Sequence, residues 1–246
     1  MVGREIERIK KAGVEIHVNS PVGTDDLTLD SLLQQGYNAV FVATGAHKSL
    51  PLAVSGEEME GVLSGAAFLK NVNLGMSVQI GTKVAVVGGG NVAVDAARAA
   101  KRLGAGEVTI VYRRSRDEMP AYKEEVEAAE KEGITIEFLA IPAKVVGKSG
   151  KVAGLECLRA KLGAPDESGR RKPEPIQGSL FVVSADMIIS AIGETPELSF
   201  LDGRAELVGG KTVKVNPLSQ ATSITGVSGA GFSRIRTDRQ TFSKRC

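Results

Sequence analysis

The run KVAVVGGGNVAVD, Lys83 to Asp95, joins a strand, a glycine turn and a helix start in thirteen residues. Lys83 to Val87 are mostly small or β-branched, the composition of a strand buried on both faces. From Asn91 onward apolar residues recur at Val92, Ala96, Ala99, Ala100 and Leu103, which is the spacing of one helical face. Three consecutive glycines lie between. Gly88 permits the tight turn, Gly90 lets the backbone approach a pyrophosphate, and the small Ala93 lets the helix pack close to the strand. Phosphates would then meet free N–H groups at the positive end of a helix. This is the G-x-G-x-x-A form of the dinucleotide fingerprint. In a chain with 29 glycines the bare match carries little. Its context carries more: Gly104-Ala105-Gly106 stops the helix and EVTIVY, Glu107 to Tyr112, reads as a second strand. Strand, helix and strand make a unit of about thirty residues, as the fingerprint requires.

Composition excludes several other functions. The chain has 246 residues, of which 42% are hydrophobic, enough for one large domain or two modest ones. Its longest apolar runs are strand-length, short of the ~20 residues that span a bilayer, and the charged opening MVGREIERIKK lacks the apolar core of a signal peptide. A soluble, cytoplasmic protein with no membrane partner is expected. The net charge is only +2, there is no Trp, and aromatic residues make up 4%, so neither a basic field nor a stacking platform points to nucleic acid. The two cysteines, Cys157 and Cys246, form no C-x-x-C pair. That argues against a redox disulfide, and against an iron–sulfur site within the chain, which would need about four thiolates. Cys157 reads as an inert core residue. His17 and His47 stand far apart, and no metal site is expected.

Taken in order, Val2 to Ala12 predicts a helix with Ile6 and Ile9 inward and Gly13 at its end, followed by a strand, Val14 to Val18. Thr28 caps a short helix carrying Leu29, Leu32 and Leu33, which Gly36 ends, and Tyr37 to Ala43 is a buried strand leading into Thr44-Gly45. Pro51 to Gly61 is a connecting loop, and Ser64 caps a helix through Phe68 and Leu69. After Tyr112, Ala121 to Lys131 predicts a helix with Val126 and Ala129 inward, a solvated acidic side and Gly133 as its stop. Ile134 to Leu139 is a third strand. Lys144 to Val146 and Val152 to Leu158 form a hairpin across Lys148-Ser149-Gly150, part of an antiparallel meander beside a parallel sheet. Gly163 to Gly178 reads as a polar insertion whose Arg170-Arg171-Lys172 cluster is solvated. Asp186 to Ile192 is a further buried strand ending at Gly193. The endings ATG, Ala43 to Gly45, and AIG, Ala191 to Gly193, are alike, which points to two related domains, with Lys211 to Val215 returning to the first.

An NAD-preferring unit places Asp or Glu at the end of its second strand to accept from the ribose 2′-OH, whereas an Arg there accommodates the 2′-phosphate of NADPH. This chain has Arg113-Arg114 at that place, with Arg116 nearby. NADPH is therefore the expected nucleotide.

The segments YNAVFVATG, GGGNVAVDAARAAKRLGAGEVTIVYRRSRDEMPA, EVEAAEKEGI and DMIISAIGETPE together resemble the two-dinucleotide-domain flavoproteins typified by the small subunit of glutamate synthase and the electron-entry part of dihydropyrimidine dehydrogenase. The resemblance runs from about Gly3 to Val227. It implies an α/β architecture: a Rossmann-like, three-layer NAD(P)-binding domain inserted into an incomplete FAD-binding domain of related fold. The segments would be 1–75 for part of the FAD domain and a linker, 76–196 for the NAD(P)H domain, 197–227 for the return of the FAD domain, and 228–246 for an unpatterned tail. It implies NADPH and FAD as cofactors, hydride transfer between them, and an iron–sulfur domain or subunit as the electron acceptor.

Carried onto this chain, the resemblance assigns Gly88, Gly89, Gly90, Asn91, Val92 and Ala93 to the NAD(P)H pyrophosphate and Asp95 to the nicotinamide end. Arg113, Arg114 and Arg116 fall to the adenosine ribose, and Ala191, Ile192 and Gly193 border the same cofactor. Val18 would lie along the FAD adenine, with Thr44 and Gly45 approaching the flavin nucleotide. None is assigned as an acid, base or nucleophile, since hydride transfer is cofactor chemistry. The family's first G-x-G-x-x-G, ahead of the opening helix, is not in the sequence. Its closing G-V-F-A-G-G-D is replaced after Gly226-Val227 by a basic tail, Ser228 to Cys246, expected to be loosely attached. Truncation would account for the first difference and a shifted reading frame or broken gene copy for the second. A binding-only module that keeps the nucleotide domain without flavin is the alternative. A dithiol reductase of the thioredoxin reductase kind would need the missing cysteine pair.

Overall fold

The computed structural model describes residues 2–24, 26–166 and 169–229. The elements run α1 (Val2–Lys11), α2 (Leu29–Gln34), β1 (Val40–Val42), β2 (Lys48–Ser49), β3 (Val62–Ser64), α3 (Gly65–Asn73), β4 (Lys83–Val87), α4 (Asn91–Arg102) and β5 (Glu107–Tyr112). They continue with α5 (Lys123–Lys131), β6 (Thr135–Phe138), β7 (Ala140–Lys148), β8 (Lys151–Pro165), β9 (Arg171–Ser184) and β10 (Met187–Ser190). Last come β11 (Glu194–Thr195), β12 (Leu207–Val208), β13 (Thr212–Val213) and β14 (Val227–Gly229). The chain divides into two compact units, one of His47–Thr195 and one of Met1–Ala46 with Pro196–Cys246.

The His47–Thr195 unit is built on a parallel sheet in the order β3-β10-β4-β5-β6. Side chains alternate across a strand, so β4 sends Val84 and Val86 to one face and Ala85 and Val87 to the other. On the first face Val84, Val86, Val108, Ile110 and Ile189 meet Phe68 of α3, Val94 and Ala97 of α4, and Val126 and Ala129 of α5. On the second face Ala85, Val87, Val111 and Ile188 meet Val145, Leu155 and Cys157 of an antiparallel sheet, β7-β8-β9. Helices, parallel sheet and meander make three layers. The meander covers a face of the parallel sheet, which is why residues 84–87 of β4 and 187–189 of β10 are an unbroken apolar run. This unit begins at His47, ahead of the boundary expected at 76, because β3 pairs with β10 in the sheet.

Local signals were followed closely here. Ser64 accepts from the Ala67 N–H to cap α3, Gly133 takes φ +81 after α5, and Ser149 and Gly150, at φ 54 and 78, turn β7 into β8. Two expectations fail. Gly163 to Gly178 is not a loose insertion: β8 continues to Pro165 and pairs with β9 from Arg171, with Leu162 opposite Pro173 and Ala160 opposite Pro175. The prolines are tolerated because β9 is an edge strand. The acidic side of α5 is not merely solvated either. Arg98 of α4 bonds Glu125 and Glu132, Arg102 bonds Glu132 at 2.7 Å, and Arg116 bonds Glu130.

In the Met1–Ala46 and Pro196–Cys246 unit, Leu29, Val42, Leu201, Ala205, Val213, Val215 and Val227 form a small core. Thr28 and Ser31 cap α2 reciprocally, Gly36 follows it at φ +97, and β1 pairs in parallel with β14. The opening segment does not bury as its pattern predicts. No residue of α1 is buried. Ile6 and Ile9 are 39% and 47% exposed, and Val14 to Val18 forms no strand, with Val18 at 74%. An apolar stripe buries only against a facing element, and a strand needs a partner ladder; the described residues supply neither. The tail reading is corrected at its start, since Ser228 and Gly229 pair with Phe41 and Val42. The remainder, 230–246, lies outside the described residues.

The α4–α5 ion pairs make stability acid-sensitive. Hydrogen bonds from Arg102 and Arg98 hold the Glu132 carboxyl below its ordinary value. Its contribution is therefore complete above the usual carboxylate range and is lost as pH falls through the lowered folded value. We expect Arg98→Ala to cost ~1 kcal/mol at pH 7, or about 2–4 °C in Tm, and to cost less at about pH 3, where Glu132 is closer to protonation. Thermal melts of both proteins at the two pH values check this, and a pH-independent difference would contradict it.

Candidate nucleotide site

The three glycines after β4 are there for three different reasons. Gly88 adopts φ +149, and a Cβ built on it would fall 2.3 Å from the Ala191 carbonyl oxygen. Its N–H donates to the Val111 carbonyl at 3.1 Å, and the Ala191 N–H donates to the Val87 carbonyl at 2.8 Å. The turn is thus clamped between the ends of β5 and β10. A Cβ on Gly89 would lie 2.3 Å from the ring of Tyr112, whose hydroxyl donates to the Glu118 carbonyl at 2.8 Å. Gly90 differs: it sits at φ −90, accessible to any residue, and a Cβ there meets no atom within 4 Å. Nothing among the described residues requires a glycine at 90.

Gly90 is also the N-cap of α4, and no side chain caps that helix. Its carbonyl accepts from Ala93 and Val94. The N–H groups of Gly90, Asn91 and Val92 have no partner among the described residues. Free N–H groups at a positive helix end, beside a backbone surface kept bare of side chains, form an anion cradle. The residues present therefore fit a dinucleotide pyrophosphate.

Other expected residues divide into those left open and those already engaged. The Asn91 side-chain oxygen accepts from the Tyr122 N–H at 3.0 Å, which orients that side chain. Ala93 is fully buried and Val92 half-buried, while Asp95 is exposed on the first turns of α4. Ala191, Ile192 and Gly193 lie at the end of β10 against the Gly88 turn, and the Gly193 carbonyl accepts from Leu50 at 3.0 Å.

The arginines part company. Arg113 is exposed, and nothing engages its side chain among the described residues. Arg114 is 3% exposed and bonded to the Asp166 carboxylate and the Arg171 carbonyl, so its guanidinium is engaged within the protein. Arg116 is paired with Glu130 and lies 5.2 Å from the Phe138 ring centroid. The Glu130 hydrogen bond raises its pKa. Arg171, expected to be solvated, donates to Glu118 at 2.6 Å. The Ser115 hydroxyl first, and Arg171 after it, holds the Glu118 carboxyl below its ordinary value. Sequence reasoning missed Tyr112, Glu118, Asp166 and Arg171. Only Tyr112 left a signal, an aromatic residue at the end of the second strand. Burial pushes the Cys157 thiol up to about 12, which makes it inert at neutral pH.

The other unit is built differently. Thr44 is exposed and Gly45 takes φ +71. The N-terminus of α2 is filled by its own capping box. Among the described residues this unit has no glycine turn opening onto an uncapped helix, so these residues do not supply a cradle for the FAD pyrophosphate.

Comparison with known proteins agrees with this architecture. The family described as pyridine nucleotide-disulphide oxidoreductase matches residues 2–232. The chain belongs to the pyridine nucleotide-disulphide oxidoreductase family. It is 48% identical over 230 residues to the NADP(+)-dependent formate dehydrogenase subunit beta of Moorella thermoacetica, covering 92% of this chain and 32% of that protein. It is 47% identical over 205 residues to the NADPH-Fe(3+) oxidoreductase subunit beta of Geobacter sulfurreducens, covering 82% of this chain and 30% of that one. The chain thus spans about a third of the length of these relatives, which are named as subunits. Among solved structures, Mycobacterium tuberculosis FprA in complex with NADPH superposes with a TM-score of 0.73 at 16% identity, covering 95% of this chain and 66% of that one. That likeness establishes the family's α/β dinucleotide-binding fold. No helix among the described residues is long and apolar enough to cross a membrane.

The contrast between neighbouring glycines is testable. Gly89→Ala forces a methyl into the Tyr112 ring and should cost about 1–3 kcal/mol in stability. Gly90→Ala enters open space and should change stability by less than about 0.5 kcal/mol, yet weaken NADPH binding about tenfold or more. Melting curves with nucleotide titrations separate the two. A Gly90→Ala protein with unchanged NADPH affinity would remove the cradle assignment.

Proposed function

We propose that the chain is the NADPH-reading portion of a flavin-dependent oxidoreductase subunit, which takes reducing equivalents from NADPH and, within the longer protein, passes them through FAD to an iron–sulfur partner. The observation that carries this reading is Gly90, a glycine that no contact among the described residues requires, at the uncapped start of α4. The names of the relatives that mention NADPH or NADP(+) support the choice of nucleotide, as does the exposed, unengaged Arg113.

In this reading the N–H groups of Gly90, Asn91 and Val92 hold the pyrophosphate, and Ala93 keeps α4 close enough to β4 to aim them. Ala191, Ile192 and Gly193 border the nucleotide on the other side of the Gly88 turn, and Asp95 lies toward its nicotinamide. Arg113 meets the 2′-phosphate. The bound nicotinamide supplies a hydride, which is chemistry of the cofactor rather than of a side chain. His47–Thr195 would be the NADPH unit, and Met1–Ala46 with Pro196–Cys246 part of a flavin unit, with Val18, Thr44 and Gly45 toward the flavin nucleotide. We place the protein in the cytoplasm, where a free, buried Cys157 is at home. A second reading, a nucleotide-binding module without flavin, is favoured by one observation: the exposed Val2–Ser20 stretch, with no buried residue and no strand.

The isolated chain is expected to bind NADPH and not FAD. Arg113→Ala should weaken NADPH about tenfold or more and leave NADH nearly untouched, since a charge-assisted contact contributes ~1.5–3 kcal/mol. Titration with both nucleotides and the visible spectrum of the purified chain are the measurements. Equal wild-type affinity for NADH and NADPH would defeat the NADPH assignment, and near-stoichiometric flavin absorbance would show that the chain holds FAD after all.

A further inference from the structure

The loop after β5, Arg113 to Glu118, is held by residues 52 to 57 positions later in the chain. Asp166 and Arg171 sit at the tip of the β8–β9 hairpin, where Pro165 and Arg171 are paired. The Asp166 carboxylate accepts from Arg114 Nη2–H, the Arg171 carbonyl accepts from Arg114 Nε–H at 2.8 Å, and Arg171 Nε–H donates to Glu118 Oε1 at 2.6 Å. Within the loop, Glu118 Oε2 accepts from the Ser115 hydroxyl, and the Glu118 carbonyl accepts from Tyr112. From the far side the Leu139 N–H donates to the Arg114 carbonyl at 3.1 Å. Tyr112, Arg114, Ser115 and Glu118 are therefore all tied, and between them stands Arg113 with its side chain exposed.

Two adjacent arginines with the same chemistry thus have opposite environments. A guanidinium that is 3% exposed and bonded on two sides is held by the protein, not offered to solvent as Arg113 is. What it does is fix the backbone from which Arg113 projects. A loop ordered before binding loses less conformational freedom when the ligand arrives, so the benefit appears in affinity for the feature that loop reads. In dinucleotide folds that feature is the ribose 2′ position.

We propose that the tip of the β8–β9 hairpin sets nucleotide specificity: Asp166 and Arg171 hold the Arg113–Glu118 loop so that Arg113 is presented to the 2′-phosphate, and Arg114 is a positioning residue that does not touch the nucleotide. This rests on the NADPH reading above. A packing role alone would affect both nucleotides equally, because NADH and NADPH differ only in the phosphate.

The test uses the full 246-residue chain, with NADPH and NADH titrated by nucleotide fluorescence and Tm measured alongside, for wild type, Arg113→Ala, Asp166→Asn, Arg171→Ala and Arg171→Lys. Asp166→Asn and Arg171→Ala should each weaken NADPH about fivefold or more and change NADH less than about twofold, while Arg171→Lys, which keeps a donor for Glu118, recovers most of the loss. Should Asp166→Asn unfold because Arg114 is left buried without its counter-charge, Arg171→Ala decides, since that side chain is 50% exposed. Unchanged NADPH affinity in Arg171→Ala, or equal losses for both nucleotides, overturns the proposal. A wild type with no preference for NADPH overturns the nucleotide reading and this inference with it. A preference abolished by Arg113→Ala but kept in both hairpin variants overturns the hairpin inference alone.

Discussion

The close approach of the Ala191 carbonyl to the Gly88 turn is the constraint on which the nucleotide unit depends. From β4 the chain crosses to β5 on one side, and β10 returns on the other, so strand order reverses between β4 and β10. In open α/β sheets a ligand crevice forms where order reverses, outside the carboxyl ends of the strands. At that point position 88 has no side chain, and a Cβ there would be driven to 2.3 Å from a backbone oxygen. Moving that oxygen would disturb the bond between Ala191 and Val87 that registers β10 beside β4. The turn, the strand register and the position of Ala191 to Gly193 are one geometric solution.

A second dependence is electrostatic. Removing the partner of a buried charge costs several kcal/mol, because the remaining charge cannot be rehydrated. Arg114 is in that position, and its partners lie on the hairpin tip, so the hairpin and the loop after β5 stabilise each other. The pairs between α4 and α5 are of another kind: Arg98 and Glu132 are only part-buried, so solvent and salt screen them more than they screen Arg114. The structure thus invests its one described buried cation beside the residue that would discriminate between nucleotides.

The two units differ in how completely they satisfy their own apolar surface. In His47–Thr195 the parallel sheet is covered on both faces, by helices on one and by the meander on the other. In the other unit Val2, Ile6, Ile9, Val14, Ile16 and Val18 are all exposed. A segment with the periodicity of a buried helix and strand, yet without a surface to bury them, has the pattern but not the context.

Much of the fold was legible in the sequence because its signals are local. The small and β-branched run of Lys83 to Val87, the caps at Thr28 and Ser64 and the stops at Gly36 and Gly133 are consequences of backbone sterics within a few residues, and each appears in the structure. The same applies to the Gly88 to Gly90 turn and to its helix; the buried face of α4, by contrast, is Ala93, Val94, Ala96, Ala97 and Ala100, and Leu103, expected on it, is 43% exposed. What the sequence could not decide was which of two identical side chains is used for what. Arg113 and Arg114 read alike, and only the β8–β9 pairing, which brings Asp166 and Arg171 from 52 to 57 residues away, makes one a buried tie and leaves the other open. The strand that Val14 to Val18 does not form has the same explanation: propensity is local, but burial and hydrogen-bond partners come from elsewhere in the chain, and only the tertiary structure shows whether they arrive.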